Sequence, residues 1–206
     1  MNPTRRELLR ATVLAAVVPT LPQLARAQQP RTVRIRGTIT ALTDSHVTVK
    51  QRNGDTIEVG IAPDVRLTEV YPVTFADVKP GTFVGVGGMP QPDGSQRAIA
   101  VVLFPEAMRG TGEGHYPFDF LPDSTMTNAT VADVASSSDG RRLELRYKDG
   151  QKTIVVPPDA PVVSLRPGDR AMLHVGSGVS MTVQDMGGKA VATRINAGRN
   201  GFNPPY

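Results

Sequence analysis

Residues 105–131, PEAMRGTGEGHYPFDFLPDSTMTNATV, decide how this chain divides, because the patterns on its two sides repeat each other and this stretch repeats nothing. Gly110, Gly112 and Gly114 relax the backbone, and Tyr116, Phe118, Phe120 and Leu121 then gather apolar bulk between Pro117 and Pro122. A merely flexible linker lacks that aromatic payload. Aromatic side chains bury large areas, so Tyr116, Phe118, Phe120 and Leu121 are expected to form an interdomain strap packed in the groove between two domains.

Outward from the hinge, matching pieces occur in the same order on both sides. Thr38-Ile39-Thr40-Ala41-Leu42 matches Thr130-Val131-Ala132-Asp133-Val134, Asn53-Gly54 matches Asp149-Gly150, and Pro63-Asp64 matches Pro158-Asp159. Pro80-Gly81 then matches Pro167-Gly168, and Ala98-Ile99-Ala100 matches Ala190-Val191-Ala192. The separations are 92, then 95 or 96, then 87, then 92, which places extra residues of the first copy between Asp64 and Pro80.

Each copy reads as short strands punctuated by turn residues, with no long stretch at helical spacing. The first copy predicts strands at 32–42, 46–51, 56–61, 82–86 and 97–104, with a one-turn helix at 75–78. The second predicts strands at 128–134, 142–148, 152–156, 171–175 and 190–195. Five strands with a longer excursion between the third and fourth is the order of a small OB-like barrel. The expected fold is therefore all-β, two tandem OB-like five-stranded barrels at 32–105 and 127–200, joined by a hinge at 106–126 and followed by a tail at 201–206. In the hairpins, a two-residue Asp149-Gly150 turn sets Leu145 opposite Ile154 and Leu143 opposite Val156. A three-residue loop at 53–55 sets Val49 opposite Val59 and Val47 opposite Ile61.

Residues 1–27 carry paired Arg5-Arg6, an apolar run at 11–21, and Ala25-Arg26-Ala27, a small-x-small cleavage site. The run is far shorter than the roughly 20 residues that span a bilayer, so it reads as a cleaved signal. The paired arginines resemble a twin-arginine signal, which implies export of the folded chain to the periplasm. Cleavage after Ala27 removes four arginines and one glutamate, leaving 19 basic against 18 acidic residues. That balance removes the case for a nucleic-acid or anionic-membrane surface. Cysteine is absent, so the fold has neither disulfides nor thiolate metal ligands.

Gly37-Thr38-Ile39, Val47-Thr48-Val49, Pro63-x-Val65, Pro80-Gly81 and the strand through Ala98 and Val102 resemble exported bacterial proteins with duplicated OB-fold-like domains of unknown function. The hinge, read as GEGHYPFD then LPDSTMTNATV, resembles uncharacterised members of that group. The resemblance implies an exported binding or interaction module and assigns no catalytic residue.

Asp44-Ser45-His46 groups three residue types used in hydrolysis, but neighbours at a turn and strand start cannot adopt the geometry of nucleophile, base and orienter. His174 sits in an apparent strand, Met172-Leu173-His174-Val175, and reads as a rim residue. Met108, His115 and Met126 lie in or beside the hinge, and thioether plus imidazole suit a copper ion, which makes periplasmic copper binding the sharper alternative. Oligosaccharide or oligonucleotide binding on a barrel face is a further one, weakened by near-neutral charge and few strand-face aromatics. The leading expectation is a non-catalytic module for an unidentified periplasmic partner or small ligand. Replacing Arg5 and Arg6 by Lys is expected to hold the precursor in the cytoplasm; unchanged periplasmic yield on fractionation would remove the twin-arginine assignment.

Overall fold

Runs in which Val, Ile and Leu alternate with polar residues become strands, because side chains of an extended backbone point alternately to opposite faces. The computed structural model describes residues 32–138 and 140–205, so Arg5, Arg6, Ala25 and Ala27, expected to belong to a signal, lie outside the described residues. The strands are β1 (Thr32–Leu42), β2 (His46–Gln51), β3 (Thr56–Pro72), β4 (Phe83–Pro90), β5 (Gln96–Leu103) and β6 (Gly114–Pro117). They continue as β7 (Thr125–Ser137), β8 (Gly140–Tyr147), β9 (Gly150–Val156), β10 (Val162–Pro167), β11 (Gly178–Asp185) and β12 (Ala190–Ala197). One-turn 3-10 helices occupy Phe75–Asp77, Glu106–Met108 and Arg170–Met172. Among the described residues no helix is long and apolar enough to cross a membrane.

The protein is all-β, and it contains a closed five-stranded barrel in the cyclic order β1, β2, β3, β12, β11. Ile35, Ile39, Val47, Val49, Val59, Met181 and Ile195 fill it. The remaining long strands follow the order β7, β8, β9, β5, β4, and the contact between β5 and β9 consists of two residue pairs, Gln96 with Ile154 and Arg97 with Val155. Val84, Val86, Val101, Ala129, Leu143, Leu145 and Ile154 make its core.

These pairings cross the expected domain boundary. The closed barrel takes its last two strands from beyond the hinge, and β4 and β5 pair with β7 and β9 instead of closing a unit at 32–105. Strand β3 is the cause. It was expected to stop at Ile61, yet it runs to Pro72, a strand of 17 residues. From Val65 to Tyr71 the sequence has no Gly or Asn to turn the chain, and Val65 and Leu67 still pack against the barrel core. The extended chain is thereby carried out of the barrel and delivers β4 to the other group of strands.

The second half of β3 lies antiparallel to β10, and Val70 pairs with Leu165, its own equivalent 95 residues later. The same spacing relates Leu67 to Val162, whose parallel partners are Ile195 and Val101. It also relates Gly81 to Gly176, with φ of 88° and 95°, whose N–H groups donate at 2.8 Å to Val131 and Ile39. These pairings relate the two halves by an approximate twofold, here called the pseudo-twofold axis, through the β3–β10 pair. The expected insertion between Asp64 and Pro80 is absent, and Pro167-Gly168 is not the counterpart of Pro80-Gly81. Residues 171–175, expected as a strand, fall on and after the helix Arg170–Met172, so His174 lies in a turn.

Both hairpins differ from expectation by an even register change, which keeps each side chain on its face. Leu143 pairs with Ile154 and Leu145 with Lys152 across a Lys148-Asp149 turn. Val49 pairs with Ile57 and Val47 with Val59, while the Gln51 N–H donates to the Asp55 carbonyl around a loop of Arg52, Asn53 and Gly54.

On the pseudo-twofold axis, Val70, Val102 and Val163 form a third apolar cluster with Phe104, Leu165 and Phe202. Residues 201–205, expected as a tail, therefore contribute to the interior through Phe202. Beside this cluster the buried Glu69 carboxylate takes a hydrogen bond from Arg166 directly across the β3–β10 pair and another from Arg199 at 3.3 Å. The Arg166 hydrogen bond outweighs burial and holds the Glu69 carboxyl below its ordinary value.

Because each group of strands is completed by the other copy, the chain is expected to unfold in one transition. Leu143→Ala, in the core of the second group, is expected to cost about 2–5 kcal/mol and to lower protection in both groups together. Hydrogen exchange that loosened β7–β9 while leaving β1 and β2 unchanged would contradict the exchanged pairing.

Candidate functional site

The outer faces of the strands meet around the pseudo-twofold axis. Ile35, Met181 and Ile195 point into the barrel, so alternation sends Arg34, Arg36, Ser180, Thr182, Arg194 and Asn196 outward. Register aligns these residues into two rows. One runs Arg34, Thr182, Arg194; the other runs Arg36, Ser180, Asn196, Thr68. The pseudo-twofold equivalent of the second row is Asn128, Gly85, Val102, Val163, again aligned by register. The two rows face each other across a cavity of about 230 Å³ that Leu165 and Val70 also line. One wall is cationic and hydroxylic; the other is largely apolar.

Gly85 keeps its wall open for a reason of packing. A Cβ there would meet the Phe104 ring at 2.8 Å and Asn128 Oδ1 at 2.6 Å, so a serine like Ser180 has no room. Asn128 is buried, and its Nδ2 donates to the Thr111 carbonyl and to the Tyr116 hydroxyl, both at 3.1 Å. The carbonyl can only accept, which fixes the amide orientation. Oδ1 is then left buried without a hydrogen-bond partner, and so is Nε of Arg36. Arg36 and Asn128 are pseudo-twofold equivalents, paired with Ser180 and Gly85 at matching positions. A buried unpaired polar group costs about 1–3 kcal/mol, so both residues hold a costly atom just behind the cavity lining.

The hinge roofs this cavity. Strand β6 pairs with β7, Tyr116 facing Met126 and His115 facing Thr127. Tyr116, Phe118, Met108 and Met126 line the cavity. His115 points to the opposite face, where Nδ1 lies 2.8 Å from Thr127 Oγ1, and burial together with the charge of Lys152 lowers its pKa. The expected Met108, His115, Met126 set therefore does not converge: two thioethers share the cavity and the imidazole does not.

The aromatic strap folds onto β1. Phe118 is buried and stacks on Phe120 at 6.1 Å, with the guanidinium groups of Arg34 and Arg36 at 5.8 and 5.4 Å from the Phe118 ring and Arg52 at 4.4 Å from the Phe120 ring. Between the rings, Asp119 binds Arg36 at 2.8 Å and Arg34 at 3.3 Å. Strap and β6 thus tie β1 to β7, although Leu121 stays exposed. The arginines, which hold the strap, were not singled out in the sequence; their i, i+2 spacing in β1 was the available signal. In Asp44-Ser45-His46 the Ser45 hydroxyl lies 2.9 Å from Nδ1 of its exposed neighbour His46, and Asp44 makes no hydrogen bond to that ring. Among the described residues no group of three or more His, Cys, Asp or Glu side chains converges as a metal site.

Comparison with protein-family models, with curated proteins and with solved structures finds no match for this chain.

Burial alone would raise the Asp119 carboxyl, but the hydrogen bond from Arg36 and the charges of Arg36 and Arg34 outweigh it and place the pKa below the ordinary aspartate value. The clamp is therefore complete above about pH 3.9 and is lost as pH falls through the lower folded value. Asp119→Asn is expected to speed hydrogen exchange at residues 118–121 at neutral pH, with the barrel strands unaffected. Unchanged strap exchange would show that the aromatic contacts hold it alone.

Proposed function

We propose that this protein is an exported, non-catalytic binding module whose ligand site is the cavity on its pseudo-twofold axis. The carrying observation is the cavity itself, about 230 Å³, in which Arg36, Arg194, Ser180 and Thr182 share the lining with Val102, Val163 and Leu165. The polar groups there are guanidinium, amide and hydroxyl, which hold and orient a ligand, and the carboxylate beside them, Asp119, is engaged by two arginines. Binding in a concave, partly apolar site needs no more than this.

An OB-like architecture is part of the same proposal. The cyclic order first, second, third, fifth, fourth, with a parallel contact between third and fifth, supports it, the fourth and fifth strands coming from the other copy. Export to the periplasm rests on Arg5, Arg6, Ala25 and Ala27. A copper ion is the second reading, favoured by Met108 and Met126 lining the same cavity. Thioethers suit Cu(I), but without His115 the set falls short of the three ligands expected.

Native mass spectrometry of protein purified from periplasm is the test. The wild type is expected to retain a small-molecule mass that Ser180→Trp, which fills the cavity from its polar wall, abolishes while preserving the fold. A copper mass lost in Met108→Leu, Met126→Leu would favour the second reading. Apo protein in both wild type and variant would overturn the cavity as a ligand site.

A further inference from the structure

Arg36 and Asn128 are closed to a ligand, the guanidinium by Asp119 and the Phe118 ring, the amide oxygen by its packing against Gly85. The open donors lie in the neighbouring row. Register sets Thr182 directly between Arg34 on β1 and Arg194 on β12. Residues directly opposite across strands have Cβ atoms about 4.5–5.5 Å apart, so two arginines flank the Thr182 hydroxyl. Arg194 in turn stands opposite Arg66 of β3, and like charges so placed destabilise a sheet. No carboxylate among the described residues pairs with Arg194 or Arg66. Arg34 meets Asp119 at 3.3 Å, against 2.8 Å for Arg36, and half of its side chain stays exposed.

The half-buried Ser180 and Thr182 hydroxyls have no hydrogen-bond partner among the described residues, yet neither is sealed as Arg36 Nε and Asn128 Oδ1 are. From the roof, the Tyr116 hydroxyl accepts from Asn128 Nδ2 and keeps its own proton to donate. Burial raises its pKa, and the opposing influence of the Arg34 charge sets that guanidinium near it. The opposite wall is Val102, Val163 and Leu165. An inorganic anion would leave that wall unused. A hydrocarbon would leave the row of arginines without a counter-charge.

We propose that the cavity takes a small monocarboxylic acid, its carboxylate between Arg34 and Arg194 on the Thr182 hydroxyl and its apolar body against Val102, Val163 and Leu165. The inference rests on the cavity being a ligand site and names the class that fits its open groups. The planar fork of a guanidinium matches a carboxylate, whose two oxygens can also accept from the hydroxyls. Arg194 is exposed and Arg34 half-exposed, so the carboxylate lies at the mouth, where it keeps part of its hydration, and the body points inward. At about 230 Å³ the cavity is below the 300–1,000 Å³ of sites for drug-sized ligands, which suits a single ring or a short branched chain.

Titration calorimetry and the shift in Tm, on the full chain, compare four probes: 4-methylpentanoate, its amide, acetate and inorganic phosphate. The branched acid is expected to bind about tenfold or more tightly than each of the others, since charge-assisted hydrogen bonds are the stronger ones and the body adds apolar burial. Arg194→Gln, at an exposed position, is expected to erase the preference for acid over amide. Thr182→Val removes a hydroxyl that bonds nothing in the free protein, so it is expected to keep the Tm of the free protein and weaken acid binding about fivefold or more. Amide binding as tight as the acid would overturn the anionic class while leaving the cavity a ligand site. Acetate or phosphate binding as tight would overturn the apolar contact, and unchanged acid binding in both variants would overturn the seat between the arginines. Failure of all four probes at millimolar concentration would remove this inference alone, because the mass retained by natively purified protein decides the cavity reading separately.

Discussion

The antiparallel crossing of β3 and β10 is the contact on which the rest depends. Strand β3 cannot turn after Asp64, so its continuation must find another partner for its backbone groups. It finds the equivalent segment of the second copy, Val70 against Leu165 and Glu69 against Arg166. A buried carboxylate adds specificity here: left alone it would be costly, and two arginines from the other copy satisfy it in this arrangement. Val102 and Phe202 then close over the crossing. Neither group of strands has its full complement until that crossing forms.

The cavity follows from the same geometry. The closed barrel and the second group of strands are joined at the β3–β10 pair, and their outer faces leave a hollow beside it. Strand alternation decides what lines it, because Ile35 and Ile195, which fill the closed barrel, force their neighbours outward. The hinge, which has no counterpart in the repeat, covers the hollow with Tyr116 and Phe118. In the proposed reading the site is made from outward-facing strand positions and from the hinge.

How much was legible in the sequence depends on whether the signal was local. Period-two alternation placed β1 and β2 at their observed bounds, and the turn residues located both hairpins, though register slipped by two wherever the turn could start one residue earlier. The one-turn helix near Phe75 was also visible. Strand exchange was not, because each copy holds all five strands and the choice of partner is a tertiary matter that leaves no periodic trace. Met172-Leu173-His174-Val175 looked like a strand by composition, yet Met172 and Leu173 are buried through a 3-10 turn. The aromatic strap was recognised, but its anchors Arg34 and Arg36 read as ordinary polar positions of a half-exposed strand. Met108 and Met126 both line the cavity, while a single residue of alternation turns His115 to the opposite face.

A ligand on a true twofold axis meets the same atoms from either side and can sit in two equivalent ways, half of the molecules holding it reversed. Here the two positions that approach the axis as mates are an arginine and an asparagine, so reversal would exchange a cation for a neutral amide. Joining both copies in one chain is what permits that difference, since a homodimer of one repeat must place identical residues at both sites. In the proposed site the two sides of the approximate twofold therefore differ, so a ligand there would sit in a single sense.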